Sequence, residues 1–316
     1  MTKKNGDGAL ARPLFLPREA RLGLFAPAGP TQSVQRQEGA TIVRDWGFSL
    51  ELPPEEEPAR GYLASPDRDR LERLLDLMGE NKTDALWATR GGYGSMRLLP
   101  ALQGLWKDFP PKPIIGFSDI TALHLARYNA TGIGGWHASN LNTLGRLGWA
   151  RGRKDWDPLL GKAVSPWLFE PDAVLRQGRA EGPLLGGNLT LFACLYGTRY
   201  CPDVKGAILL LEDLDEAPYR LDRLLTGLSL RGAFDGLAAV VFGEFFNCGD
   251  KSLVREILSE FADARDYPVA REAPFGHGFV NSPWFYGEKG VLEAEDSGGR
   301  LCFPWRNEPE GEFQRA

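Results

Sequence analysis

Among the residues able to do covalent chemistry, Ser118 has the most informative surroundings. It lies in Ile114-Ile115-Gly116-Phe117-Ser118-Asp119-Ile120-Thr121, where a β-branched run passes through a small residue straight into a helical pattern. A strand-to-helix turn of this kind lifts one side chain above the C-terminal edge of a sheet, beside helix N-terminal amides that can hold a developing oxyanion. The segment equally fits Ser118 or Asp119 acting as a simple helix N-cap. Ile120 stands where the elbow of an α/β-hydrolase has glycine, which argues against that particular fold.

A serine nucleophile needs a base, and the chain has three histidines, His124, His137 and His277. His124 is six residues beyond Ser118, roughly 1.7 helical turns on, and so points away from the elbow with a structural role. His277 sits in Pro274-Phe275-Gly276-His277-Gly278, whose glycines permit close approach and unusual backbone angles; catalytic and merely exposed roles both fit. His137, in Gly134-Gly135-Trp136-His137-Ala138, follows a short strand near the same edge and is a candidate substrate contact.

The third member of such a site is a carboxylate that fixes the imidazole tautomer and stabilises its charged form. Glu212 ends the apolar run Ile208-Leu209-Leu210-Leu211 and so emerges at a strand's C-terminal edge, although with Asp213, Asp215 and Glu216 it also fits a solvated acidic turn. Thr89-Arg90-Gly91-Gly92-Tyr93-Gly94 is a second strand-to-helix turn with exposed amides. It lacks the Gly-Lys-Ser/Thr ending of a phosphate loop and the GxGxxG spacing, so an oxyanion or carboxylate cradle fits better than a phosphate site. No HExxH or equivalent pairing offers a metal, and nothing calls for a cofactor.

The elements that must hold these residues are legible in outline. Leu22–Ala26, Ala85–Ala88 and Ile114–Phe117 read as buried strands, and Asp67–Met78 and Asp119–Tyr128 carry helical spacing, an alternation that implies a parallel α/β unit. From about Gly145 to Gly182 the periodicity fades into a stretch rich in Trp, Pro, Gly and charge, which reads as a crossing segment. A second, smaller α/β unit follows. It has a helix after Gly186-Gly187-Asn188, a strand at Ala207–Leu211, a helix at Tyr219–Leu230, a strand at Ala238–Phe242 and a helix at Ser252–Ala264. The expected organisation is an N-terminal domain over 18–150 carrying the nucleophile, a crossing segment over 151–182, and a C-terminal domain over 183–308 carrying Glu212 and His277.

Composition narrows the classes. With 316 residues, 43% hydrophobic and 25% charged, the chain is a soluble globular protein with room for two cores. A net charge of −5 without basic runs gives no support to a nucleic-acid partner. No stretch has the length of a membrane span and Met1–Pro17 lacks an apolar signal core, so this start reads as a loose tail and the expected location is the cytoplasm. Cys194, Cys201, Cys248 and Cys302 show no CxxC spacing and read as reduced and buried.

Together, Thr89-Arg90-Gly91-Gly92-Tyr93-Gly94, Gly116-Phe117-Ser118-Asp119-Ile120-Thr121, Gly186-Gly187-Asn188-Leu189, Leu211-Glu212-Asp213 with Pro218-Tyr219-Arg220-Leu221-Asp222-Arg223, and Gly276-His277 resemble the LD-carboxypeptidase (muramoyltetrapeptide carboxypeptidase) family, serine peptidase family S66. The resemblance runs from about Arg21 to Leu292. It implies an N-terminal flavodoxin-like parallel sheet flanked by helices, a smaller C-terminal α/β domain and an active site between them. It further implies Ser118 as nucleophile, His277 as base and Glu212 as its orienting carboxylate, with the backbone amides of Gly92 and Asp119 as oxyanion hole. Arg90, Gly91, Tyr93 and His137 are the implied substrate contacts, the substrate is a murein tetrapeptide ending in diaminopimelate and D-alanine, and the assembly is a homodimer.

Two departures touch the substrate rim. Ala138-Ser139 follows His137 where many relatives have Gly-Pro, and Trp284-Phe285-Tyr286-Gly287 follows His277 where Leu-Pro-x-Gly is usual. Arg90, Arg220 and Arg223 are candidates for holding an anionic substrate group, with helix-surface ion pairing as the other reading. Two further functions stay open. The immunity branch of the same family hydrolyses acyl-nucleotide antibiotics and would use Trp136, Trp284 or Phe285 to stack on adenine, and a non-catalytic muropeptide-binding protein could keep the fold.

Overall fold

The computed structural model describes residues 10–52, 59–147 and 153–306. The first half alternates strand and helix: β1 (Arg21–Phe25), α1 (Ser33–Asp45), β2 (Ser49–Glu51), α2 (Asp67–Gly79), β3 (Ala85–Ala88), α3 (Leu99–Leu102), β4 (Ile114–Ile115), α4 (Thr121–Thr131), β5 (Trp136–His137) and α5 (Leu141–Leu147). The second half holds β6 (Trp167–Phe169), β7 (Val174–Arg176), β8 (Gly178–Asn188), α6 (Leu189–Leu195), β9 (Ile208–Leu214), α7 (Pro218–Leu230), β10 (Ala239–Phe246), α8 (Lys251–Asp263), β11 (Val269–Ala270), β12 (Trp284–Phe285), β13 (Lys289–Glu295) and β14 (Gly298–Cys302).

Burial explains the sequence pattern. β3 is buried at every position and β1 at all but its first, which is why they read as continuous apolar runs: helices cover both faces of a parallel sheet. The first sheet has the order β12-β5-β4-β3-β1-β2, with β2-β1-β3-β4-β5 parallel and β12 antiparallel on β5. The parallel part has the strand order of a flavodoxin-like sheet, in which the order of succession reverses between β1 and β3. Small residues set helix contacts here; a Cβ on Gly23 of β1 would lie 2.5 Å from Leu77 of α2, and one on Gly145 of α5 would lie 1.9 Å from the Gln35 carbonyl of α1.

The second sheet runs β6-β14-β13-β8-β9-β10-β11-β7 and is larger than the sequence pattern indicated. The crossing segment contributes β6 and β7 to it, and β8 is a central strand although Gly-Arg-Ala-Glu-Gly-Pro reads as a loop. Its glycine is there for close packing: a Cβ on Gly182 would lie 2.1 Å from the Gly206 carbonyl. β8 pairs antiparallel with β13 through its first half and parallel with β9 through its second, ending with Asn188 opposite Glu212. α8 buries Val254, Leu258 and Phe261 against this sheet's layer, each contributing on the order of 2 kcal/mol of apolar burial.

The two sheets are stitched together. β12 comes from the second half of the chain but pairs with β5 of the first, Trp284 opposite His137 and Phe285 opposite Trp136. The Asn188 amide donates to Thr121 Oγ at 3.1 Å, and the Tyr286 hydroxyl donates to the Gly186 carbonyl. Glu288 and Arg306 form a fully buried ion pair whose guanidinium lies over the Trp136 ring.

Two expectations are corrected. Residues 10–17 are not a loose tail: the Ala11 amide donates to the Gly287 carbonyl, the Leu16 amide to that of Leu159, and Trp136 Nε1 to that of Leu14. The apolar Ala11 and Leu16 are buried by these contacts. Of the four free cysteines only Cys248 is buried; Cys194 is exposed and the others half-buried. The Trp149 end of the Trp-rich stretch lies outside the described residues, and Trp156 packs between Trp46 and Trp87 in the core.

Candidate active site

Ser118 opens a short 3₁₀ turn, Ser118–Ile120, that leads from β4 into α4. Its φ is +62°, a left-handed backbone that only glycine adopts freely, at a cost of about 1 kcal/mol for a residue with a Cβ. The surroundings hold it there. Asn140 Oδ1 accepts from the Phe117 amide at 3.2 Å, and Gly116 is packed so that a Cβ would lie 2.8 Å from that same oxygen. An N-cap has extended backbone and accepts from its own helix, and Ser118 does neither: the residue before the turn makes no side-chain cap and Ser118 is inside it.

The glycine turn after β3 lies against this serine. A Cβ on Gly91 would come within 2.9 Å of both Ser118 Cβ and Oγ, and Gly92 has φ +106° and packs on Gly29. Glycine is required at both positions, by the close approach and by the backbone. The Gly91 carbonyl accepts from the Gly29 amide at 3.0 Å, which ties the turn after β3 to the turn after β1. These turns flank the point where the strand order reverses, the place at which open α/β sheets bind ligands.

Glu212 and His277 reach the site from the second sheet. Glu212 is the fifth residue of β9 and is wholly buried, its register fixed by Asn188 on one side. His277 is on the loop after β11, where Gly276 has φ +131° and lies against Glu212. His277 Nδ1 and Glu212 Oε2 are 2.6 Å apart in a buried setting. The His277 ring stacks obliquely on Phe117, the residue before the serine, with centroids 4.6 Å apart. Burial alone would push the His277 pKa down, but the charge and hydrogen bond of Glu212, with Asp213 behind it, outweigh this and the net shift is upward.

Asp213 anchors the carboxylate's neighbourhood. It accepts from Asn188 Nδ2 at 2.7 Å, from the Thr190 amide at 3.0 Å and from Thr190 Oγ at 2.8 Å. Burial and the adjacent Glu212 charge push its pKa up to about 6. The acidic stretch is therefore buried at Glu212 and Asp213 and turns outward only beyond them.

The other candidates fall into different places. His137 is completely buried, stacked on Trp284 at 4.9 Å and edge-on to Phe117 and Phe275, so it supports the site from beneath and has no open face for a substrate. His124 is buried, bonds the Gly116 carbonyl through Nε2 at 3.0 Å and is held neutral by burial, its pKa pushed down to about 4. Tyr93 is 46% exposed and pairs with the exposed Tyr62 at 5.8 Å, forming a rim beside the glycine turn. Arg90 spends one guanidinium nitrogen on the Pro30 carbonyl at 2.7 Å. Arg220 pairs with Glu216 at 3.5 Å and, with Arg223, packs on the Tyr219 ring, the helix-surface role.

Two residues around the site carry no motif signal. Asn140 orients the nucleophile strand, and Asn281 accepts from the Gly276 amide at 3.2 Å and so shapes the His277 loop. Isolated Asn residues in loops are common, and only the packed fold distinguishes these. Among the described residues no group of three or more His, Cys, Asp or Glu is arranged to hold a metal ion.

An imidazole with one nitrogen on a buried carboxylate, its ring packed on the residue before Ser118, is the pairing a general base requires. Known proteins share the arrangement's framework. The LD-carboxypeptidase N-terminal domain matches residues 22–138 and its C-terminal domain residues 181–292. The murein tetrapeptide carboxypeptidase of Pseudomonas aeruginosa is 34% identical over 292 residues, covering 88% of this chain and 94% of that protein. Among solved structures, muramoyltetrapeptide carboxypeptidase from Oxalobacter formigenes superposes with a TM-score of 0.75 at 24% identity, covering 89% of this chain and 97% of that one. The microcin C7 self-immunity protein MccF does so with a TM-score of 0.80 at 22% identity, covering 93% and 98%. On the strength of both domain matches and the full-length relative, the chain belongs to the LD-carboxypeptidase family of serine peptidases.

Proposed function

We propose that the chain is a serine LD-carboxypeptidase that removes the terminal D-alanine from murein tetrapeptide, cutting the L,D bond after diaminopimelate in peptidoglycan recycling. The observation that carries the reading is the buried 2.6 Å contact of His277 Nδ1 with Glu212, set against a serine held at φ +62°. With Nδ1–H donating to Glu212, Nε2 is the nitrogen left to receive the Ser118 proton. Ser118 Oγ attacks the carbonyl carbon, and the Gly92 and Asp119 amides receive the oxyanion. His277 returns the proton to the amine of the departing D-alanine, then takes one from water as that water cleaves the acyl-enzyme. The name carried by the Pseudomonas aeruginosa relative supports the substrate. Arg90 and Tyr93 line the side from which a muropeptide approaches, with Gly91 beneath them.

The rival reading is hydrolysis of acyl-nucleotide conjugates, supported by the likeness to the microcin immunity protein. Its adenine-stacking candidates Trp136, Trp284 and Phe285 are each fully buried, which takes away that support. Purified protein offered a disaccharide tetrapeptide and an aminoacyl-sulfamoyl adenosine in parallel decides between them: release of D-alanine alone supports the carboxypeptidase, and cleavage of the nucleotide alone overturns it. A binding-only role predicts that Ser118→Ala changes no cellular muropeptide level. No helix among the described residues is long and apolar enough to cross a membrane. We place the enzyme in the cytoplasm, where recycled muropeptides are trimmed, and infer a homodimer, which sedimentation at varied concentration tests.

A further inference from the structure

Arg70, the fourth residue of α2, belongs to none of the sequence motifs, yet its side chain is only 1% exposed and every part of its guanidinium is engaged. Nε donates to the Ser65 carbonyl at 3.1 Å; Nη1 donates to the carbonyls of Pro27 and, at 3.1 Å, Gly94; Nη2 meets the Asp67 carboxylate. One planar cation thus ties together the turn after β1, the entry to α2 and the turn after β3, the three loops at the sheet's switch point. Gly94 has φ +146° and no room for a Cβ, which would lie 2.9 Å from Arg70 Nη1.

The same turn is clamped from the nucleophile's side. Asp119 is wholly buried, and its Oδ2 accepts from the Ser95 amide at 2.7 Å. The residue immediately after Ser118 therefore grips the residue immediately after Gly94. The two clamps act on the carbonyl and the amide of one peptide unit, Gly94–Ser95, and the segment it closes, Gly91–Gly94, carries the amide assigned to the oxyanion. Burying a guanidinium and a carboxylate is costly when apolar side chains could fill the space, and the arrangement is accounted for if it sets a direction rather than only filling volume.

We propose that Arg70 and the Asp119 carboxylate are positioning residues that aim the Gly92 amide at the oxyanion formed on the Ser118 adduct. The inference rests on the catalytic reading above. It requires that their loss weakens binding of the tetrahedral state far more than binding of the ground state, since an oxyanion donor is engaged only as charge develops. Removal of one such donor lowers kcat by about 10² to 10³, and a misaimed donor has the same upper bound.

The test measures kcat and KM for D-alanine release in Arg70→Met, Arg70→Lys and Asp119→Asn, with thermal midpoints taken alongside. Each variant is also titrated with two probes, a peptide boronate that forms a tetrahedral adduct on Ser118 and the tripeptide product. Arg70→Met is expected to lose at least 30-fold in kcat with KM within about threefold. Boronate affinity should fall by the same factor, tripeptide affinity should hold, and Arg70→Lys should recover part of the loss. Wild-type kcat in folded Arg70→Met, or equal loss of boronate and tripeptide binding, overturns the proposal. Should Arg70→Met not fold, Arg70→Lys decides: a tenfold or greater fall in kcat at unchanged KM supports the role, and wild-type kcat overturns it. If wild-type protein releases no D-alanine, it is the catalytic reading that fails, and the same comparison on the nucleotide conjugate then tests the positioning role by itself.

Discussion

Replacing Glu212 by glutamine keeps the shape of the site and removes one charge. In the native site the carboxylate sits 2.6 Å from His277 Nδ1, with Glu212 completely buried and His277 nearly so. When the imidazole becomes charged in the transition state, charge centres roughly 4 Å apart attract by about 4 kcal/mol at an effective dielectric near 20. At about 1.4 kcal/mol per tenfold, Glu212→Gln should lower kcat by about three powers of ten. The pH profile should change as well. In the wild type the Glu212 charge raises the His277 pKa against burial, so the acid limb of kcat/KM lies above the usual histidine value of about 6.5. Without that charge only Asp213 opposes burial, the base becomes easier to keep neutral, and the limb moves down. The wild-type advantage is therefore largest above its own limb and shrinks as pH falls and its His277 protonates. The assay is D-alanine release from murein tetrapeptide between about pH 5 and 9. A Glu212→Gln profile with an unmoved limb, or a loss of less than about tenfold, refutes the coupling of these two residues.

Other perturbations follow from single contacts. Gly91→Ala puts a methyl 2.9 Å from Ser118 Oγ and should reduce kcat by at least 100-fold while leaving circular dichroism unchanged, because the clash falls on the nucleophile. Ser118→Gly relieves the left-handed strain at φ +62° that Ser118→Ala retains, so the glycine variant should be the more stable of two inactive proteins, by about 1 kcal/mol in denaturant unfolding. Asp213 has a folded-state pKa raised to about 6, above the ordinary value of about 3.9. Its protonation therefore supports the fold below the ordinary value, and that support is lost as pH rises through 6. Unfolding midpoints should fall over this window in the wild type and less so in Asp213→Asn. His137→Phe keeps an aromatic ring on Trp284 in a site without solvent; it should leave KM within about threefold, whereas a large rise in KM would return His137 to the substrate-binding set.

The parallel half of the fold was legible because its strands are buried on both faces and its helices alternate with them in a fixed period. Glu212 and Ser118 were legible for a related reason: each follows a buried apolar run, Ile208–Leu211 or Ile114–Phe117, that points to where the side chain emerges. β8 was not legible, since its glycines allow a close approach to neighbouring strands that looks, in sequence, like a loop. Nor was β12 as part of the first sheet, because only long-range pairing of Trp284 and Phe285 with His137 and Trp136 assigns it there. That pairing also explains why the burial of His137 was not legible. It lies within β5 and not after it, and the strand paired with it removes it from the surface. Arg70 was invisible for the opposite reason, an arginine on an amphipathic helix that reads as one more solvated charge until the loops close over it.

The most direct test of the catalytic account is D-alanine release from a purified disaccharide tetrapeptide by wild type and Ser118→Ala, followed by mass spectrometry of the remaining muropeptide. Loss of one alanine with the wild type and none with the variant is the predicted result. Equal release by both proteins would contradict Ser118 as the nucleophile, and release by neither would contradict the murein tetrapeptide as the substrate.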